Sequence, residues 1–383
     1  MPQQGLAKME QLYRNRSARA KELRSEGKKI VGYFCCLTPV ELLTAADLVP
    51  YRIMGGGQEA LVKADAHLET IACPYTRSCL DLALRGEYDF LDGFVMSHGC
   101  DNLVNLYGIW KHHTKPPYAH FINTPHTVSQ PSHDFFAAEL GAFKTSLERL
   151  VGRELTSESL NKAIELHNEN RALVRELFQL RNQDPPLLSG SEVTKTMVAV
   201  LTLPVKESSS LLRDVIKDAT KRKEGPKKER ARLVIYGSEM DSAELIEMIE
   251  ECGANVVMDD LSIGSRPFWH DVEVTDTPLR SISDRYLDKI TCPRLFKAPP
   301  DGTHESDLEN RFGHIRDYAR DYAADGVILH TIMYCDCFAF DLPDVREFLE
   351  KEGLPTLDIE DEYIGTNLPR LKTRVEAFLE MIS

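Results

Sequence analysis

The chain has 383 residues, 42% apolar and 28% charged, with a formal net charge of −14 and nine cysteines. This is globular rather than disordered composition, in a chain too long for one ordinary core. Its acidic balance argues against a general nucleic-acid binder, which needs a basic footprint for phosphates.

The first residues lack the apolar core of a signal peptide, and no run approaches the roughly 18 apolar residues of a membrane helix. A cytoplasmic protein with no membrane or nucleic-acid partner is expected. Residues 7–26 are predicted to form an exposed, charged helix ended near Gly27, setting off an N-terminal segment, 1–28. From 29 to 131, short apolar runs at 29–35, 49–54, 93–96 and 119–123 read as strands. They alternate with helices that begin at Pro39 and cover 78–85 and 102–112. Such alternation predicts a parallel sheet covered on both faces.

Between 132 and 230 the pattern turns helical, with apolar residues three and four apart over 134–151, 158–183 and 192–203, then 207–221. This reads as a helical insertion or spacer, part of it a candidate subunit interface. The basic run at its end, 221–232, reads as a solvated linker, with a contact to CoA phosphates as the alternative. A second alternation fills 231–383: strands at 231–237, 254–258, 327–332 and 356–359, helices at 242–252, 308–324, 343–352 and 367–381. The expected fold is therefore α/β, with two Rossmann-like parallel-sheet units joined by a helical segment and facing a common cleft.

An odd number of irregularly spaced cysteines fits free, metal-bound or catalytic thiols better than a disulfide framework. No C-x-x-C pair occurs, so neither a zinc ribbon nor a bacterial-ferredoxin motif is present. Cys100 ends an apolar run that breaks at Gly99, and Cys335 ends a second run, followed by Asp336 and Cys337. Cys73 precedes Pro74, which suits a helix start. The carboxyl ends of strands are where open α/β sheets bind ligands, so these three are candidate metal ligands. Their separations match no short motif, and a free cysteine often only fills space. Cys252 and Cys292 read as structural, and of the adjacent Cys35 and Cys36 at most one would face a shared site. Gly55-Gly56-Gly57 is either an anion-binding turn or a plain one. His112-His113 at a helix end complements the dipole.

Many ordered fragments resemble the 2-hydroxyacyl-CoA dehydratase/benzoyl-CoA reductase family along nearly the whole chain. They include Gly32-Tyr-Phe-Cys-Cys-Leu-Thr-Pro-Val-Glu-Leu-Leu-Thr-Ala-Ala-Asp-Leu-Val-Pro50, Arg232-Leu-Val-Ile-Tyr-Gly237 and Glu251-Cys-Gly-Ala-Asn-Val-Val-Met-Asp-Asp260. Further ones are Ala324-Asp-Gly-Val-Ile328, Tyr334-Cys-Asp336, Gly353-Leu-Pro-Thr-Leu-Asp-Ile-Glu360 and Thr373-Arg-Val-Glu-Ala-Phe-Leu-Glu-Met381. Within the family, Gly55-Gly-Gly57, Asp89-Phe-Leu-Asp-Gly93 and Asn105-Leu-Tyr-Gly-Ile-Trp110 look most like the smaller cluster-bearing subunit of the ATP-dependent benzoyl-CoA reductases.

The resemblance implies that Cys73, Cys100 and Cys335 each give one thiolate to a 4Fe-4S cluster, leaving the fourth iron position open. It further implies a homologous second cluster-bearing subunit, an ATP-hydrolysing activator, ferredoxin or flavodoxin as electron donor, and an acyl-CoA substrate. Cys337 and Cys79 lie outside the three-cysteine pattern. Either would close the open position if it reached the fourth iron, and local packing is the reading preferred for both. Asp336 and His98 are the candidate proton-handling residues, each with a plain structural alternative; Asp101 reads as a helix cap. The expected activity is reduction of benzoyl-CoA. The alternatives are dehydration of an (R)-2-hydroxyacyl-CoA through a ketyl radical, a non-catalytic electron relay, and a zinc-binding α/β protein.

Overall fold

Two four-stranded parallel sheets with the same strand order organise this chain. The computed structural model describes residues 4–57, 61–363 and 367–382. The charged N-terminal segment forms two helices, α1 (Gln4–Arg14) and α2 (Ala18–Ser25), where the sequence predicts one. The break frees Arg16, whose guanidinium reaches Gly55 O and the carbonyl of Asp241.

The first unit contains β1 (Ile30–Phe34), α3 (Val40–Ala45), β2 (Val49–Arg52), α4 (Pro74–Leu84), β3 (Gly93–Ser97), α5 (Asp101–Thr114) and β4 (Ala119–Ile122). Its strands run in the order β2-β1-β3-β4. A two-residue strand, β5 (Thr127–Val128), follows, then the helices α6 (Gln130–Val151), α7 (Ser157–Gln179), α8 (Gly190–Val200) and α9 (Val205–Lys221). The second unit opens with β6 (Ala231–Gly237), α10 (Glu244–Glu251), β7 (Ala254–Asp260) and α11 (Pro278–Asp288). It continues through β8 (Phe296–Lys297), α12 (His304–Asp321), β9 (Gly326–Ile332), α13 (Asp336–Lys351), β10 (Thr356–Asp361) and α14 (Leu368–Ile382). Here the order is β10-β9-β6-β7, the same arrangement read from the other edge.

Alternation along the strands assigns the faces, because successive side chains of a strand point to opposite sides. Val31 and Val95 join Phe136, Leu140 and Ile164 of α6 and α7, whereas Phe34, Phe94 and Met96 join Leu80, Leu106 and Trp110 of α4 and α5. In the second sheet Val234, Tyr236 and Leu329 face α9 and α12, and Leu233, Ile235 and Ile328 face α10 and α14. The helices expected as a spacer are thus covering layers, α6 and α7 sharing a core with the first sheet, α8 and α9 with the second. Residues 261–297 cross back to the first unit, where α11 packs on α6 and α7. Among the described residues no helix is long and apolar enough to cross a membrane.

In each sheet the strand order reverses between two central parallel strands, β1 and β3 in one, β6 and β9 in the other. At such a switch point the loops part and leave a crevice at the carboxyl ends of the strands. Cys100 follows β3 and Cys335 follows β9, so the two residues occupy equivalent places in the two units.

Candidate functional site

Each of the three expected cysteines is the N-cap of its own helix: Cys73 of α4, Cys100 of α5 and Cys335 of α13. Local sequence explains the starts. Pro74 has the fixed φ of a first helical residue, and Asp101 and Asp336 place a carboxylate in the first turn, where the helix dipole favours it. Tyr334, with φ +61°, turns the chain sharply so that Cys335 leaves β9 and caps α13 at once. None of the sulfurs makes a capping hydrogen bond. The first-turn amides of Thr76, Leu103 and Phe338 nevertheless lie near enough to pull the respective thiols down.

The three thiols meet in one core. Cys73 is buried there with Phe34, Tyr75 and Phe94, and Cys100 and Cys335 pack against the same group, which also takes Ile332 and Tyr363 from the second unit. Each is in electrostatic reach of the others, since Cys100 and Cys335 both respond to Cys73, and Cys335 to Cys100. Burial dominates their acidity, pushing Cys73 up to about 11, Cys100 up to about 12 and Cys335 well above the ordinary thiol range. A buried thiolate needs a compensating cation.

Cys337, two residues into the same helix start, is close enough to raise Cys100, and burial raises Cys337 itself. Cys79 lies fully buried one turn along α4, with Cys73 among the charges it senses. Cys252 caps the carboxyl end of α10, away from this core.

A cation that nothing in the sequence singled out stands at the edge of the site. Arg294 donates to Asp101 Oδ1 at 3.1 Å and lies 3.1 Å from His98 Nε2, and its charge lowers Cys100 and Cys337. His98 Nδ1 faces Asn123 Oδ1 at 3.3 Å, and its Nε2 also lies 3.5 Å from Asp101 Oδ1. Asp336 is exposed, and its charge raises Cys73 and Cys337. The signal for Arg294 was faint, because it lies in a stretch without clear periodicity.

The buried Arg52 of β2 holds Glu239, which follows β6 and whose charge reaches Cys73, at 2.9 and 3.0 Å. Gly55-Gly56-Gly57 is committed elsewhere: Gly55 N–H donates to Asp241 at 2.7 Å and Gly56 N–H to Ser78 Oγ at 2.9 Å. Those two amides are not available to a phosphate. His112 and His113 sit in the last turn of α5, but desolvation and the neighbouring His67 and His112 lower His113, which works against a charged dipole partner there.

The donor set suits an iron–sulfur cluster: three soft thiols, one buried and two half-buried against the same core, each at the positive end of a helix. Among the described residues no three His, Cys, Asp or Glu side chains form a group that could hold a single metal ion. Ligands of a cluster bind different irons and stand further apart than those of one ion.

The chain matches a family model described as 2-hydroxyglutaryl-CoA dehydratase, D-component, over residues 35–382. It is 28% identical to a benzoyl-CoA reductase subunit of Thauera aromatica, across 98% of this chain and 97% of the relative. It is 27% identical to the (R)-phenyllactyl-CoA dehydratase beta subunit of Clostridium sporogenes, across 94% of each. To the beta subunit of (R)-2-hydroxyglutaryl-CoA dehydratase from Acidaminococcus fermentans, identity is 23%, across 94% of each.

Proposed function

Because this chain belongs to the 2-hydroxyglutaryl-CoA dehydratase D-component family, we propose that it is the iron–sulfur subunit of an ATP-dependent benzoyl-CoA reductase. Cys73, Cys100 and Cys335 hold a 4Fe-4S cluster and so route low-potential electrons toward the ring of an aromatic acyl-CoA. The observation that carries this reading is the convergence of three thiols on one core, Cys73 buried and Cys100 and Cys335 half-buried, each the N-cap of a separate helix. Likeness to a benzoyl-CoA reductase subunit across nearly the full chain favours the reductase.

When bound, such a cluster supplies one-electron transfer at strongly negative potential. The protein contributes the rest. Its three thiols fix the group, and the amides of Thr76, Leu103 and Phe338 face their sulfurs. Phe34, Phe94 and Tyr75 exclude water from one side, which keeps a reducing electron from protons and oxygen. Asp336 and His98 are the groups placed to handle protons at the rim.

The proposed partners are a homologous cluster-bearing subunit, an ATP-hydrolysing activator and ferredoxin or flavodoxin. Exposed apolar side chains next to all three ligands support docking there: Ile71 (62% exposed), Val104 (38%), Tyr334 (43%) and Phe340 (82%). A second reading, a subunit of an (R)-2-hydroxyacyl-CoA dehydratase acting through a ketyl radical, is favoured by the likeness to two dehydratase beta subunits.

The test is anaerobic co-purification with interacting chains, iron analysis, and assay with benzoyl-CoA and a low-potential donor. Net ring reduction supports the reductase, and redox-neutral loss of water from a hydroxyacyl-CoA supports the dehydratase. Colourless protein with stoichiometric zinc would sink both.

A further inference from the structure

Arg294 belongs to the connection between α11 and α12, a stretch tied firmly to the first unit. Phe296 N–H donates to His126 O at 2.7 Å, and Phe296 and Lys297 pair in parallel with Thr127 and Val128. From that anchored backbone the guanidinium spans the turn that carries Cys100. Arg294 Nη2 is 3.1 Å from Oδ1 of Asp101, the residue after Cys100, and 3.1 Å from Nε2 of His98, two residues before it. The same turn is held through Gly99, which packs so closely on the end of β1 that a Cβ there would stand 2.7 Å from Cys35 Sγ.

Stability does not account for this arrangement. The Asp101 side chain is 85% exposed and that of Arg294 19%, and an ion pair with so exposed a carboxylate adds little to folding. Its effect is local to the sulfur. Asp101 and Asp336 each directly follow a proposed ligand, so two carboxylates border a site that already gathers three thiols. Arg294 sets a fixed positive charge against the carboxylate next to Cys100.

We propose that Arg294 is a positioning residue for the cluster site, which clasps the turn on both sides of Cys100 and, by offsetting Asp101, raises the reduction potential of a cluster held there. The inference rests on the iron–sulfur reading of Cys73, Cys100 and Cys335. Net charge and exposure tune cluster potentials over a wide range, and an added electron is repelled less where a bordering carboxylate is paired. The Arg294 charge also acts on Cys100 and Cys337 in the direction that favours negative sulfur. A guanidinium suits the task because it donates in a fixed plane and stays charged at any working pH.

The test uses the full chain with whatever co-purifies, prepared anaerobically as the parent, Arg294→Met, Arg294→Lys and Asp101→Asn. Iron content is measured, and the midpoint potential is read by a dye-mediated titration followed by electron paramagnetic resonance. Arg294→Met should shift the potential to more negative values, Asp101→Asn to more positive ones, and Arg294→Lys should stay near the parent. Simple loosening of the turn would move the first two in one direction, so shifts of the same sign would overturn the proposal. Hydrogen exchange on the same preparations reads the clasp without reference to iron: the peptide covering residues 98–103 should exchange faster in Arg294→Met than in the parent. Should Arg294→Met misfold, Asp101→Asn, at an exposed side chain, is read in both assays. Faster exchange together with a positive shift then supports the proposal, and the absence of either overturns it. A parent without iron would defeat the iron–sulfur reading, whereas iron present with unchanged exchange and potential in Arg294→Met would defeat the role of Arg294 alone.

Discussion

Replacing Arg52 by methionine should loosen the two units from each other where β2 meets the loop after β6. Arg52 is 2% exposed, donates to both oxygens of Glu239 and reaches Ser262 Oγ at 3.2 Å. Without it, the Glu239 carboxylate faces Cys73 and Cys36 with its main cation gone. Breaking a buried ion pair from one side costs about 3–5 kcal/mol. Glu239 keeps 21% of its side-chain exposure, so water offsets part of the loss and about 3 kcal/mol is expected. Urea denaturation followed by circular dichroism measures it, with metal content read on the same samples. Arg52→Met combined with Glu239→Leu removes both charges and should fall within about 1 kcal/mol of the parent, since apolar replacement of a whole buried pair is near neutral. A single-variant loss under about 0.5 kcal/mol, or a double variant worse than the sum of the singles, would refute the reasoning.

Cys73→Ser, Cys100→Ser and Cys335→Ser should each lower iron content and abolish turnover, because a hydroxyl is a far poorer iron ligand than a thiolate; full iron in Cys100→Ser would end the assignment. Cys337→Ser should retain iron and activity if the fourth iron position is open, and cluster loss on iron analysis would instead show a four-thiol site. Burial, the largest single influence, raises Glu41, but Arg171, His167 and Arg285 together outweigh it and hold the carboxyl at about 2, below the ordinary carboxylate range. Its contribution is therefore complete above about pH 4.5 and fades as pH falls toward 2, worth roughly 3 kcal/mol; in acid-unfolding curves Glu41→Gln should lack that limb. Phe340→Asp should weaken association with the partner subunit in analytical ultracentrifugation while leaving iron content unchanged, and undiminished assembly would count against docking at this face.

Alternation of strands and helices was legible because short apolar runs broken by Gly and Pro carry their own signal. β6 at 231–237 falls where expected. Proline misled at α13: Pro343 suggested a helix start, but the helix begins at Asp336 and carries Pro343 inside it. That error hid the N-cap role of Cys335. Helix α11 was overlooked, although it opens on Pro278. Contacts between residues far apart in the chain, like the pairing of Arg52 with Glu239 across nearly 190, leave no local trace. The triple glycine stayed open between an anion site and a plain turn because sequence does not show which acceptors its amides already serve.

Two of the three converging thiols belong to one unit and the third to the other. Any group bound by all three is consequently also a mechanical clasp. Swinging the units apart lengthens the span from Cys335 to Cys73 and Cys100, so opening must break a metal–sulfur bond. Loaded protein should behave as one rigid body, and stripped protein should regain a hinge at the crevice, held then by Arg52 with Glu239 and Arg16 with Asp241. Loss of the group would therefore surface first as faster proteolysis of the connections between the units, ahead of any change within either sheet.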